Sequence, residues 1–442
     1  MSKATTANTI YSPRYRNYAL AILFLGYVVN FIDRSILSIL LEPIKQELLL
    51  SDTELGLLGG LAFAMFYATL GIPIASLADR WSRTKVLAIS MIIWSAMTAL
   101  CGAANNFLML LLARIGVGVG EAGASPPSHS LISDYFPVEK RATALSIYAL
   151  GIPFGSMIGN FVGGWGAAEL GWRMTFLLVG LPGIFVAGII LTTLREPPRG
   201  MSESAAVKAA AAKNDEPAPA LKEVFKFLWQ RKSFRHLGFA AGLHAFVGYG
   251  AGVWNAPFLI RSHEMPITEV GSWLAIISGI GAIGTFGGGY LGDKLSDWTD
   301  DRRWYLWIAG ISTLVMVPFQ FTAYLYDGIW TVIPALAVVS ILGGMYLGPS
   351  FAMTQALVTL RMRAVASALL LFMLNIIGMG LGPYFVGIAS DLLNPSFEIH
   401  SLRYALCLCV LANLWAAVHY FLGATTLRED LDSTEVLMTQ HS

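Results

Sequence analysis

The sequence predicts an all-α polytopic membrane protein, with twelve transmembrane helices in two pseudo-symmetric six-helix bundles. Three observations carry this expectation. Of 442 residues, 55% are hydrophobic and only 13% charged, whereas a soluble domain carries roughly a quarter charged residues. Apolar runs of about 20 residues, the length that crosses a bilayer as a helix, recur twelve times along the chain. One polar interval near the middle then separates the first six runs from the last six.

Residues 1–17 form a polar tail without the apolar core and cleavage site of a signal peptide. The first span, 18–41, is followed by spans at 54–78, 86–104, 107–131, 142–166 and 173–193, so the first bundle covers 18–193. Connections as short as Cys101–Phe107 join antiparallel neighbours. The interval 194–233 is rich in Ala, Pro and charge. Its end, "LKEVFKFLW", alternates cationic and aromatic residues, which suits either a helix lying on the membrane surface or a solvated linker. The second bundle, 234–425, holds spans at 235–260, 268–291, 304–325, 329–356, 364–390 and 402–424, and 426–442 is a tail.

Charge placement orients the chain. With the N-terminus in the cytoplasm, 23 of the 29 Lys and Arg residues fall in cytoplasmic segments, while Lys45, Arg173, Arg261 and Arg403 fall outside. Both termini are therefore expected to be cytoplasmic. A net charge of +1 gives no reason to expect a nucleic-acid partner. The three cysteines, Cys101, Cys407 and Cys409, sit in apolar runs and offer neither a disulfide framework nor metal-ligand spacing, so no cofactor or metal is expected. The chain has no N-x-[ST] acceptor, because Asn394 precedes proline.

Two spans contain acids and bases. "GYVVNFIDRSILSIL" places Asp33 and Arg34 inside the first span, and "ARIGVGVGEAGA" places Arg114 and Glu121 in the fourth. Ionisable side chains at that depth are costly and mark pathways. Arg114 and Glu121 are seven residues apart and share a helix face, with Gly116, Gly118 and Gly120 between them allowing another helix to approach closely. At about 1.5 Å of rise per residue, Asp33 and Arg114 lie at one level and Glu121 lies about 10 Å deeper. A carboxylate beside an arginine stays ionised, and one left alone in a low-dielectric cavity takes up a proton. Sharing Arg114 between Asp33 and Glu121, or yielding it to an anionic substrate, would link proton uptake to conformation. The second half offers neutral groups instead: His244, Tyr249, Trp254, Asn255, Gln355 and Asn375.

A repeat joins the halves. "ASLADRWSRTK" after the second span and "GYLGDKLSDWTDDRR" after the eighth share a small residue, a leucine, an aspartate and a base at matching places. Two halves related this way are what a transporter built from structural repeats shows. The first loop is similar to the signature between helices 2 and 3 of the major facilitator superfamily, with Ser82 in place of its second glycine. That resemblance implies a major facilitator fold and a cytoplasmic gate. Asp79, Arg80 and Arg83 would form its main latch, and Asp293 with Lys294 the weaker copy.

The stretches "NFIDRSILSILLEPI", "RIGVGVGEAGASPPSHSLISDYFPVEKRATALSIYALGIPFGSMIG" and "LREPPRG" resemble the Spinster family through most of the first half. The resemblance implies a proton-coupled carrier of an anionic amphiphile, such as a lysophospholipid or a sphingosine-phosphate-like lipid, working by alternating access. Asp33, Glu121 and Arg114 would couple protons, and Arg34, Arg114, Tyr249, Trp254, Asn255, Gln355 and Asn375 would contact substrate. A bacterial member is expected, monomeric and resident in the plasma (bacterial inner) membrane, with lipid and the proton as partners. The alternatives are a proton-coupled carrier of small organic anions such as sugar acids, whose family shares the Asp-Arg pair and the Arg-to-Glu spacing, and a channel or scramblase. An enzyme is not expected, since the interior acids stand beside arginines and the cysteines lack partner histidines.

Overall fold

The computed structural model describes residues 11–202 and 221–440. The first ten residues, the middle of the predicted linker and the last two residues lie outside these. Among the described residues the chain is helical apart from short connections, and each of the twelve predicted spans falls on a helix. The first half contributes α1 (Pro13–Leu48), α2 (52–80), α3 (Arg83–Cys101), α4 (107–135), α5 (138–170) and α6 (172–193). After the linker come α7 (Leu221–Gln230), α8 (Lys232–His263), α9 (Ile267–Thr299), α10 (Trp304–Leu325), α11 (329–356), α12 (363–397) and α13 (Ser401–Gln440). Hydrocarbon offers no water to satisfy a backbone N–H or C=O, so helices that close their own bonds are the form such a chain must take.

Local chemistry sets the turns. Leu49 takes a left-handed φ of 54°, and Ser51 then caps α2 through a capping box. Its hydroxyl accepts from Glu54 N, and the Glu54 carboxylate accepts from Ser51 N. Between α5 and α6 the helical run reverses at Gly171, whose φ of 77° and ψ of 162° suit a residue without Cβ. Asn106 opens α4 by accepting from Met109 N at 2.9 Å.

The packing resolves two compact units: Met1–Ile36 with Met65–Pro217, and Leu37–Ala64 with Ala218–Ser442. In the first, α3 packs on α4 and α6 around the fully buried Trp94, Val117 and Phe176. The backbones come close at Gly120 of α4, where a Cβ would stand 2.5 Å from Trp94 N of α3. In the second, α8, α10, α12 and α13 form the core with Leu237, Leu306, Leu370 and Tyr420, and α7 lies on it through Val224 and Leu228. Phe161, Phe185, Phe286, Trp330 and Trp415 remain exposed. Soluble monomers rarely show so much exposed apolar surface.

Candidate functional site

The interior charges of the first unit converge. α1 supplies Asp33 and Arg34, α3 supplies Thr98, and α4 supplies Arg114 and Glu121. Asp33, Arg114 and Glu121 are all buried. Glu121 pairs directly with Arg34, whose Nε donates to Oε2 at 2.6 Å. The Arg34 guanidinium also stacks near Tyr67, 4.7 Å from the ring centroid, and near Phe31 at 5.1 Å, contacts that favour a cation. Thr98 donates its hydroxyl to Asp33 Oδ2 at 3.2 Å. Asp33 lies close to Glu121 and Arg114, and Glu121 also lies close to Arg34 and Arg114. The four groups therefore form one cluster, with Arg114 near both carboxylates and Arg34 bonded to Glu121.

Accessibility differs within the cluster. The Arg34 side chain keeps 18% of its surface exposed, while Glu121 keeps none. Arg34 is thus the most accessible member of the cluster. α4 approaches α3 closely at Gly120, next to the buried Glu121, and the helix turns at residues 122–124 just past it.

A second charged cluster lies at the linker end of the first unit. Arg83 is buried and pairs with Asp134, donates from Nε to Glu196 Oε1 at 2.7 Å, and donates to Ser130 Oγ and the Pro197 carbonyl. The Glu196 carboxylate also accepts from Thr84 N at 3.0 Å and from the Ser82 hydroxyl at 2.9 Å. Burial pushes the Glu196 carboxyl up, but the Thr84 amide, Arg83 and Ser82 together hold it below the usual range. Arg80 is exposed at the end of α2. The side chain of Asp79 lies outside the described residues. Asp134 and Glu196 were not among the sequence-predicted residues. Their signal was present: each is an acid at a helix end, next to "YFP" and "PP", and Glu196 stands between Arg195 and Arg199.

In the corresponding loop of the second unit, Asp293 accepts from Tyr305 Oη at 2.5 Å and Lys294 stands over the Tyr290 ring. The acid that gathers arginines there is Asp301, which pairs with Arg303 and with Arg428 of α13. A third cluster sits at the opposite end of that unit. Arg261 of α8 reaches Glu42 at 2.6 Å and grips Asp52 with both terminal nitrogens at 2.8 and 2.9 Å. Lys45 and Ser390 bind the same Asp52 carboxylate. Asp391 of α12 accepts from the Asp52 and Thr53 amides that open α2. Sequence reading missed this cluster because its members lie far apart in the chain.

The other predicted contacts in the second unit are dispersed. Trp254 is fully buried and donates to the Pro383 carbonyl at 2.8 Å, which makes it a packing residue between α8 and α12. Asn255 accepts from Tyr324 Oη, Gln355 donates to Ser367, and Asn375 is buried in the π-helical segment of α12. Tyr249 is partly exposed and packs against Gly378. His244 is buried, hydrogen-bonded to Thr313 and the Gly343 carbonyl, and tilted against the Tyr346 ring. Among the described residues no group of three or more His, Cys, Asp or Glu is placed to hold a metal.

Comparison with known proteins fits this architecture. The Major Facilitator Superfamily profile matches residues 23–424. An "MFS-type efflux pump" of Mycolicibacterium smegmatis is 33% identical over 423 residues, covering 95% of each chain. A "Hexuronate transporter" of Bacillus subtilis is 27% identical over 61% of this chain and 63% of its own. The solved structure of a bacterial homologue to the human lysosomal transporter Spinster, in an inward-facing and unoccupied conformation, superposes with a TM-score of 0.85 at 33% identity, over 95% of this chain and 99% of that one. The chain belongs to the major facilitator superfamily, within which it is similar to Spinster-type transporters.

Proposed function

We propose that this transporter is a proton-coupled secondary carrier of an anionic amphiphile, a lysophospholipid or a sphingosine-phosphate-like lipid, working by alternating access. The observation that carries the proposal is the interior cluster of Asp33, Arg114 and Glu121 with the partly exposed Arg34. Two acids and two bases in hydrocarbon are too costly to keep for packing alone, and intramembrane charges of this kind are functional by default. Arg34 is the reachable cation. An anionic headgroup that takes Arg34 strips Glu121 of its direct partner, and the released carboxylate then takes up a proton. Asp33 and Arg114 form the second stage, since Arg114 acts on both acids. The likeness to a Spinster homologue and the neutral, largely apolar character of the second half support an amphiphile. We place the protein in the plasma (bacterial inner) membrane, as a monomer with both termini cytoplasmic.

A second reading has a specific observation behind it. The likeness to a hexuronate transporter favours a small organic anion such as a sugar acid, handled by the same four residues.

Purified protein in liposomes with an internal pH dye separates the two. A lysophospholipid should elicit a pH change in the wild type and none in Asp33→Asn. A response to a sugar acid alone assigns the organic-anion reading. No pH change with either solute, alongside saturable uptake of one, refutes proton coupling. Linear flux without trans-stimulation refutes the carrier and leaves a channel or scramblase.

A further inference from the structure

The short helix α7 carries three distinct sectors. At about 100° per residue, Val224 and Leu228 point one way and are buried in the second unit's core. Leu221, Phe225 and Trp229, spaced i, i+4, i+8, form an exposed apolar stripe beside them. Lys222, Lys226 and Gln230 occupy the remaining face and are exposed. A helix in water needs one apolar face, so the second, uncovered stripe is unexplained by folding alone.

That stripe continues beyond α7. Phe225 stacks on Trp229 at 5.3 Å between centroids, and Trp229 meets Phe239 of α8 at 6.1 Å. Phe239 meets His419 of α13 at 5.8 Å, and Trp415 follows at 5.9 Å. Phe239 and Trp415 are exposed. His236 closes the strip by hydrogen bonding to His419, Nδ1 to Nδ1, at 2.8 Å. Ringed and partly polar side chains of this kind belong at the boundary between hydrocarbon and headgroups. The charge alongside is mostly positive: residues 221–235 hold Lys222, Lys226, Arg231, Lys232 and Arg235 against Glu223, with Asp430 of α13 bonded at Ser233.

The geometry points to a docking surface for an anionic phospholipid of the leaflet at the linker end. Acyl chains lie on Leu221, Phe225, Trp229, Phe239 and Trp415. Lys222 and Lys226 border the apolar stripe and reach the headgroup phosphate by snorkelling. The site is separate from the transport cluster, lies wholly in the second unit, and holds whatever the substrate is.

Tryptophan quenching by brominated lipid in nanodiscs tests it, with phosphatidylglycerol titrated against phosphatidylcholine. Basic residues near a membrane surface favour anionic lipid by roughly fivefold each. Wild-type protein should therefore show a quenching preference for brominated phosphatidylglycerol that falls with added salt. Lys222→Gln/Lys226→Gln should cut the preference by about 25-fold while leaving quenching by phosphatidylcholine unchanged. Trp229→Phe/Trp415→Phe should remove most of the lipid-selective signal, which locates it on this strip and not on the other tryptophans. Equal quenching by the two lipids in the wild type overturns the proposal, as does a preference undiminished in the double lysine variant. Both lysines lie on an exposed face away from the core, so the variants fold, and transport in neutral-lipid vesicles reports on the carrier reading independently.

Discussion

Arg34 and Glu121 are unequal partners. The carboxylate is fully enclosed and the guanidinium partly open, so removing one is not equivalent to removing the other. Breaking a buried pair from one side costs about 3–5 kcal/mol, because a charge is left without compensation. Arg34→Ala should therefore lower the unfolding temperature in detergent most at alkaline pH, where Glu121 cannot relieve itself by taking up a proton, and Arg34→Ala/Glu121→Gln should restore most of that loss. Equal losses in the single and double variants would mean the two side chains are not energetically coupled. Glu121→Gln alone keeps a hydrogen-bond acceptor for Arg34 and should fold normally while responding less to pH. The presence of these four residues was legible from sequence, since acids and bases inside apolar runs stand out. Which arginine binds which acid was not. Helical rise alone set Asp33 level with Arg114, whereas the Arg34–Glu121 pair depends on how α1 rotates against α4, which no local pattern encodes.

Among the elements, the start of α2 shows the same division between local and distant information. The "SDTE" capping box satisfies its first turn from within, and the motif can be read directly. Asp391 adds a carboxylate from 339 residues away to the Asp52 amide, a contact invisible to sequence reasoning. An anionic acceptor at a helix N-terminus is favoured by both hydrogen bonding and the helix dipole. Asp391→Ala should cost about 0.5–2 kcal/mol, the range of a lost N-cap, with Asp391→Asn milder. Gly387, one turn earlier on α12, allows the helices to meet: a Cβ there would lie 2.3 Å from the Asp52 carbonyl oxygen. Gly387→Ala should exceed Asp391→Asn in its effect, because backbone must move in one case and only a charge is lost in the other. Hydrogen exchange at the Asp52 and Thr53 amides checks both variants; unchanged protection in Gly387→Ala would show that α12 yields freely. The twelve spans themselves were legible because length and hydropathy decide them, and the α5–α6 reversal because polar "ELGWR" interrupts an apolar run.

For the whole molecule, the ion clusters at the surface and the acids in the interior answer to different ranges of pH. Glu196 is held below its ordinary 4.5 against burial by the Thr84 amide, Arg83 and Ser82. Asp301, bound chiefly by Arg303 and also by Arg428, is lowered from 3.8 to about 2. A carboxyl depressed in the folded state adds stability that is complete above its unfolded value and disappears as pH falls through its folded value. Glu196 therefore acts in full above about 4.5 and Asp301 above about 4, and both contributions fade only in more acidic solution. Neither group changes charge between pH 5 and 8. Any dependence of transport on pH in that interval must then arise elsewhere, and the interior acids Asp33 and Glu121 are the groups that the proposed mechanism asks to exchange protons. The expected result is specific: Glu196→Gln and Asp301→Asn keep the wild-type pH profile of uptake between pH 5 and 8 while shifting acid unfolding, and Asp33→Asn flattens the profile while leaving acid unfolding near its wild-type midpoint. Measured side by side in the same liposomes, a flattened profile in Glu196→Gln would move the proton-sensing step from the interior cluster to the linker end, where Arg83 and its partners would have to open within each cycle.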